Sequence, residues 1–156
     1  MKKILFSASF LLLFAISGCA QKNDEVVGVN EEGTFKITSS LKTLKTEWAD
    51  QLKQLDISSP IRGFEILSSQ DKGSGNETYY YLLGTTEDKI TKMATLLRLE
   101  NGKFFFLTDE GDSPTGTVTC TGCAFGCNPE KVGSKWYCSG GCGSDCKKTV
   151  TVATRE

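Results

Sequence analysis

Six cysteines lie within 27 residues near the C-terminus, and this cluster constrains the fold more than any other feature of the chain. The cluster comprises Cys120, Cys123, Cys127, Cys138, Cys142 and Cys146. Glycines crowd between these cysteines, so the segment has too few apolar side chains to bury a core of its own. Covalent cross-links must then replace a core. We expect three disulfide bonds, each contributing about 2–4 kcal/mol.

The spacing of the cysteines is symmetric about one point, as it would be in an antiparallel hairpin centred near Val132 and Gly133. The alternating residues 117–119 and 149–152 flank the cluster and would extend that hairpin as a β-ribbon. Cys120 is out of step by one residue, which requires a bulge, and Gly122 could supply it. The arrangement predicts nested bridges Cys120–Cys146, Cys123–Cys142 and Cys127–Cys138.

Two other interpretations of the cluster remain open. Four thiolates could hold zinc or an iron–sulfur cluster, and Cys120 and Cys123 have the spacing of half a zinc site. The same pair could also be redox-active, although the strand-to-helix setting that activates such pairs is missing. Disulfides are favoured because exported proteins meet an oxidising compartment. We therefore expect no metal and no cofactor.

The features that predict export lie at the N-terminus. A short basic start, Met1-Lys2-Lys3, precedes an apolar run over residues 4–16, which is typical of a signal peptide. The run ends in Ile16-Ser17-Gly18-Cys19, which resembles the lipobox of bacterial lipoproteins. This resemblance implies that residues 1–18 are removed and that Cys19 receives a diacylglycerol on sulfur and a further acyl chain, such as palmitate, on nitrogen. Two or three acyl chains suffice for stable anchoring in a membrane.

The alternative is an ordinary signal peptide, with Cys19 as a disulfide partner. The number of cysteines favours lipidation of Cys19. The chain has seven cysteines, and lipidation of one leaves six, an even number that can all pair in disulfides.

Residues 19–32 are polar and acidic, and we expect them to form a disordered tether. At about 3.3–3.6 Å per residue, this tether could place the folded part some 40 Å from the membrane. Its Gln21-Lys22-Asn23-Asp24-Glu25 is similar to the export signal of surface lipoproteins in some Gram-negative commensals. Ala20 stands where inner-membrane lipoproteins have aspartate. The resemblance implies an outer-membrane lipoprotein, with its surface face favoured.

The pattern of residues 33–112 predicts an α+β domain. Residues 33–38 alternate as a short strand, and then leucines and a tryptophan recur at helical spacing, forming one apolar stripe. Ser39 or Ser40 is the expected N-cap of that helix. Four strands follow, over residues 61–68, 77–85, 89–100 and 103–108, and they are rich in β-forming side chains. The stripe consists of Leu41, Leu44, Trp48, Leu52 and Leu55.

Asn101-Gly102 between two apolar runs is a strong hairpin signal, because both residues tolerate positive φ. As a two-residue turn it places Glu100 opposite Lys103 and pairs the residues outward from there. One face then carries Leu97, Leu99, Phe104 and Phe106, and should bury the helix stripe through Trp48. The opposite face carries Leu96, Arg98, Phe105 and Leu107. Another element must cover this second face, or it must bind something.

The expected fold class is α+β: one helix packed on a four-stranded antiparallel meander, followed by a C-terminal disulfide-rich β-ribbon over residues 113–156. The acidic break at residues 109–114 marks the boundary. The order of elements over residues 33–110 resembles the cystatin-like layout, in which a sheet wraps a single helix. The inhibitor loop of true cystatins, Gln-x-Val-x-Gly, is missing from this sequence.

The sequence favours a non-enzymatic function. It contains no histidine, the commonest general base and metal ligand, and neither a P-loop nor a dinucleotide fingerprint. Its net charge of −1 gives no basis for binding nucleic acid. We expect a lipid-anchored binding or interaction module of the cell envelope, whose partner is an envelope protein or an extracellular macromolecule. The alternatives are an inhibitor or immunity-type protein acting on a hydrolase, and a metal- or redox-active cysteine module.

Overall fold

The computed structural model describes residues 25–107, 116–140 and 145–151, and this part of the chain contains ten strands and one helix. The helix, α1, spans Lys42–Gln54. The strands are β1 (Val26–Glu31), β2 (Thr34–Ile37), β3 (Ile61–Asp71), β4 (Glu77–Thr86), β5 (Lys92–Glu100), β6 (Lys103–Phe106), β7 (Thr117–Thr121), β8 (Asn128–Val132), β9 (Lys135–Ser139) and β10 (Lys147–Thr151).

The main sheet is a nearly closed, barrel-like layer of six antiparallel strands, in the order β3-β4-β5-β6-β1-β2. Its two ends approach each other, because β2 lies beside β3. Gly28 of β1 faces the Ile66 side chain of β3 so closely that a Cβ there would lie 2.6 Å from its Cδ1. The predicted fold class is therefore wrong: the protein is mostly β, and the sheet is not a four-stranded meander wrapping a helix.

β1 is the strand that the sequence analysis missed. It pairs with β6 on one side and β2 on the other, and Val27 is fully buried. The tether predicted over residues 19–32 is therefore wrong from Val26 onward. Three valines near the start of this strand supply enough apolar surface to hold it in the sheet, in spite of the acidic residues around them.

β5 joins the barrel to the cysteine-rich segment. Along one edge it pairs with β4, while the other edge is shared by β6 and β7. β10 then pairs with β7. The predicted boundary between residues 112 and 113 does not separate two structural units, because β7 and β10 extend the same sheet.

The barrel interior contains the first hydrophobic core. Trp48 of α1 is 0% exposed and packs against Phe64 of β3 at a centroid distance of 5.3 Å. The predicted stripe is confirmed for Leu41, Leu44, Trp48 and Leu52, which are all buried, whereas Leu55 follows the helix and is half-exposed. Leu41, and not the predicted Ser39 or Ser40, holds the N-cap position, with φ 46° and without a side-chain cap. The hydroxyl of Ser40 still accepts a long hydrogen bond of 3.5 Å from the N–H of Lys42, the first helical residue.

The Asn101-Gly102 hairpin has the predicted register, with Glu100 opposite Lys103 and Leu97 opposite Phe106. Asn101 and Gly102 both have positive φ, which is why this dipeptide sets the register. The face carrying Leu97 and Phe104 joins the core around Trp48, as predicted.

The opposite face of the sheet forms a second core under the β8–β9 hairpin. Trp136 of β9 is 2% exposed and lies edge-on to Tyr79 and Tyr81 of β4, at centroid distances of 6.4 and 6.3 Å. Leu96 and Leu107 belong to this cluster, so the apolar face that required a cover has one in this hairpin.

Within the described residues no helix has the length and apolarity needed to cross a membrane.

Candidate functional site

Two disulfide bonds tie the small β8–β9 sheet to the main sheet. Cys120 of β7 is bonded to Cys138 of β9, and Cys127, just before β8, is bonded to Cys146, just before β10. The predicted pairs Cys120–Cys146 and Cys127–Cys138 are therefore wrong. Cys123 is also disulfide-bonded. Its predicted partner Cys142 lies outside the described residues, as does Cys19.

The pairing differs from the prediction because the cysteine segment forms two hairpins with different registers instead of one ribbon. β7 pairs with β10 in the main sheet, where Cys120 faces Lys148, and β8 pairs with β9, where Cys138 faces Pro129. The hairpin turn near Gly133 is as predicted. Residues 117–119 and 149–151 do form flanking strands, but Thr119 pairs with Thr149, a register that differs from the predicted one. The loop between β7 and β8 turns the second hairpin onto the outer face of the barrel, so each bridge crosses between the two sheets.

Phe125 occupies the tip of that loop. The N–H of Gly126 donates to the carbonyl of Cys123 at 2.8 Å, which closes a tight turn over residues 123–126. Gly126 has φ 80°, and a Cβ there would lie 2.6 Å from the carbonyl oxygen of Lys89. The cysteines on either side of the turn, Cys123 and Cys127, are disulfide-bonded. The turn is thus fixed at both ends and against the β4–β5 connection.

The side chain of Phe125 is 90% exposed. An isolated exposed apolar side chain is by itself common on proteins. A bare phenyl ring on a turn held by two cross-linked cysteines loses little conformational freedom when it binds, which favours binding.

An open groove of about 540 Å³ lies beside this ring on the outer face of the barrel. Strands β3 and β4 form its floor, with Phe64 and Leu83 among the lining residues. Three basic side chains line it, Arg62, Lys89 and Lys92, together with one carboxylate, Glu65. We call Phe125, Arg62, Lys89 and Lys92 the Phe125 surface.

The basic groups of the Phe125 surface differ in the hydrogen bonds and ion pairs that they make. Lys92 donates to the side-chain oxygen of Asn128 at the start of β8. Arg62 and Lys89 make no ion pair and no side-chain hydrogen bond with any residue in the described ranges. Their charges are therefore available to an anionic ligand.

A buried ion pair fixes the far end of the β8–β9 hairpin. The carboxylate of Asp71, at the end of β3, accepts hydrogen bonds from the N–H groups of Gly73 at 2.9 Å and Gly133 at 2.7 Å, and from the ammonium of Lys131. The Lys131 ammonium, and then the Gly133 N–H, lower the pKa of Asp71 from 3.8 to about 2. The arrangement joins the β3–β4 turn to the hairpin turn and is structural.

Two further groups have shifted pKa values, and both have structural causes. Burial raises the pKa of Tyr81 to about 12, because the phenol lies in the second core. The hydroxyl of Thr86, 2.6 Å from Asp88, lowers the pKa of that carboxyl in the β4–β5 connection. Over residues 25–107, 116–140 and 145–151 no three His, Cys, Asp or Glu side chains are placed to hold a metal ion.

Sequence reasoning found the cysteines but missed the Phe125 surface. Phe125 carried a signal, since it is the one large apolar residue between Cys120 and Cys127. An aromatic side chain in a segment without its own core must either pack on another element or stay exposed. The basic residues gave no signal, because Arg62 and Lys89 approach Phe125 only through the pairing of β3, β4 and β5.

No protein-family model matches this chain, and comparisons with curated proteins and with solved structures find no similar one.

Proposed function

We propose that the chain is a lipid-anchored, non-enzymatic binding module of the bacterial cell envelope, and that it binds through the Phe125 surface. The observation that carries this proposal is the 90% exposure of a phenyl ring on a turn between two disulfide-bonded cysteines. Exposed aromatic anchors presented rigidly beside charged groups are typical of recognition surfaces.

The anchor rests on the lipobox resemblance at Cys19, and the location follows from it. The oxidised cysteines fit export, because structural disulfides persist outside the cytoplasm. The shifted titratable groups Asp71, Tyr81 and Asp88 serve packing and turn formation, which supports a binding role over catalysis.

Metabolic labelling with palmitate tests the anchor. We expect label on the wild-type chain and none on Cys19→Ala, which should remain unprocessed or be released. A wild-type chain without label would contradict the proposal.

Photo-crosslinking in intact cells tests the surface. A photoreactive phenylalanine analogue replaces Phe125, and the matched control carries it at Tyr137, which is 48% exposed on the outer side of β9. We expect a defined adduct from position 125 and little from position 137. Equal labelling at positions 125 and 137 would contradict binding through the Phe125 surface. A stable adduct with a hydrolase would instead favour the inhibitor class.

A further inference from the structure

We infer that the Phe125 surface docks on the anionic lipid surface of the membrane that carries the chain's own anchor. This inference rests on the proposed function, because it needs the lipid at Cys19. The ligand of the Phe125 surface is then the layer of lipid headgroups together with the adjoining acyl region.

The direction of β1 places the anchor and the Phe125 surface at the same end of the barrel. β1 is antiparallel to β6 and β6 to β5, so β1 and β5 run in the same direction. The N-terminal end of β1 therefore points toward the end of the barrel where β5 begins at Lys92. The Phe125 turn packs there, since Gly126 lies against Lys89 and β7 ends opposite Lys92.

The length of the linker sets how far the barrel stands from the membrane. Val26 pairs with Phe105 and Phe105 with Arg98, so Val26 lies at the level of Arg98 in β5. From that level to Lys92 is six residues, or about 20 Å of strand. The seven residues from Cys19 to Glu25 reach about 25 Å when fully extended. An anchor at Cys19 would therefore keep the Lys92 end of the barrel close to the lipid. A disordered tether reaching to residue 32 would instead have allowed a gap between the barrel and the membrane.

The chemistry of the Phe125 surface fits a bilayer surface. An aromatic ring favours the boundary between headgroups and acyl chains, and the lysines and arginines around such a ring are attracted to lipid phosphates. Arg62 and Lys89 have no anionic partner among the residues the structure describes. The groove is open and its charged groups outnumber its apolar ones, which suits a field of headgroups better than an apolar peptide.

Because the anchor confines the domain to the membrane, a weak surface interaction is enough to orient it. Tethering converts docking into an intramolecular event with a high effective concentration. One aromatic ring and a few cations, which would bind vesicles weakly by themselves, then decide which face of the barrel points outward.

Fluorescence quenching in the full lipidated chain tests the inference. The two native tryptophans, Trp48 and Trp136, are 0% and 2% exposed, so a new tryptophan at position 125 provides a distinct exposed reporter. The Phe125→Trp variant is reconstituted into phosphatidylethanolamine–phosphatidylglycerol vesicles whose acyl chains are brominated near the headgroup. The matched control is Lys72→Trp, which lies in the exposed β3–β4 turn at the opposite end of the barrel.

We expect the Phe125→Trp variant to lose emission and shift to the blue on these vesicles, and the Lys72→Trp variant to keep its emission. The loss of emission should be smaller on phosphatidylcholine vesicles and when Arg62→Glu and Lys89→Glu are added to the Phe125→Trp variant. It should also be smaller at about 0.5 M salt, where the Debye length is about 4 Å. Equal loss from the two reporters, or none from position 125, would overturn the inference.

The result separates this inference from the proposed function. If the chain takes no palmitate and does not float with vesicles, the anchor itself fails. If it floats but the position-125 reporter stays bright, the anchor stands and membrane docking is wrong. A bright reporter together with a protein adduct in photo-crosslinking would assign the surface to a protein partner.

Discussion

Single residues decide how α1 packs against the barrel. Trp48 fills the space between α1 and the sheet, and Gly84 of β4 leaves room for it: a Cβ at residue 84 would lie 2.5 Å from the indole carbon Cζ3. Gly84 therefore serves the packing of the ring and not a turn.

We expect Trp48→Ala to destabilise the protein by about 3–5 kcal/mol, since it removes a fully buried aromatic side chain. Phe125→Ala is the control, because its ring is exposed, and its stability should stay near wild type. Chemical unfolding measures both. Near-equal midpoints for the two variants would show that Trp48 is not part of the core.

Gly84→Ala should cost about 1–3 kcal/mol through overpacking against the Trp48 ring. In a Trp48→Phe background the smaller ring leaves space, so the same substitution should cost less. A double-mutant cycle measures this coupling. Additive effects would contradict direct contact between residue 84 and the ring.

Asp71 makes stability depend on pH. Its pKa lies at about 2 in the folded protein against an ordinary 3.8, so its contribution is complete above pH 3.8 and is lost as the pH falls toward 2. We expect Asp71→Asn to flatten the loss of stability between these pH values in urea unfolding. Asp50→Asn, on the exposed side of α1, is the control. A wild-type slope in Asp71→Asn would exclude the ion pair with Lys131 as its source.

At the scale of elements, local signals predicted more than long-range pairing did. The Asn101-Gly102 turn set its register because a two-residue turn leaves one arrangement of the neighbouring strands. The helical stripe was readable because one face of α1 meets the core. β1, by contrast, depends on partners far along the chain, and its acidic neighbours resemble a solvated linker. The cysteine pairing failed for the same reason, since Cys120 and Cys138 meet only after β8–β9 folds onto the barrel.

The disulfide pairing can be checked by non-reducing peptide mapping. Cleavage after Phe125 and Tyr137, after lysines, and before Asp145 isolates Cys127 in residues 126–131 and Cys146 in residues 145–147. We expect these two peptides to be bonded to each other. A bond from the 126–131 peptide to residues 138–144, which contain both Cys138 and Cys142, would contradict the Cys127–Cys146 bridge.

Loss of one bridge between the sheets should weaken the hairpin more than the barrel. Replacing Cys120 and Cys138 together by serine opens a loop with a sequence separation of 18, and we expect a loss of about 3 kcal/mol. The fluorescence of Trp136 should shift to the red at lower denaturant than that of Trp48, measured in Trp48→Phe and Trp136→Phe backgrounds. Coincident transitions would mean that the hairpin and the barrel unfold as one unit.

At the scale of the whole molecule, the docking we infer depends on a short linker and on the direction of β1. A longer linker should therefore release the barrel. Ten glycine and serine residues inserted after Asp24 add an r.m.s. reach of about 18 Å, which lowers the effective concentration of the Phe125 surface at the bilayer.

We expect this insertion to leave palmitate labelling and flotation unchanged while the Phe125→Trp reporter regains emission on brominated vesicles. The control places the same insertion after Gly75, in the exposed β3–β4 turn where a Cβ would meet nothing within 4 Å, and it should leave the quenching intact. If quenching survives the long linker, the Phe125 surface binds lipid by its own affinity, and the seven-residue linker is not what holds the barrel to the membrane.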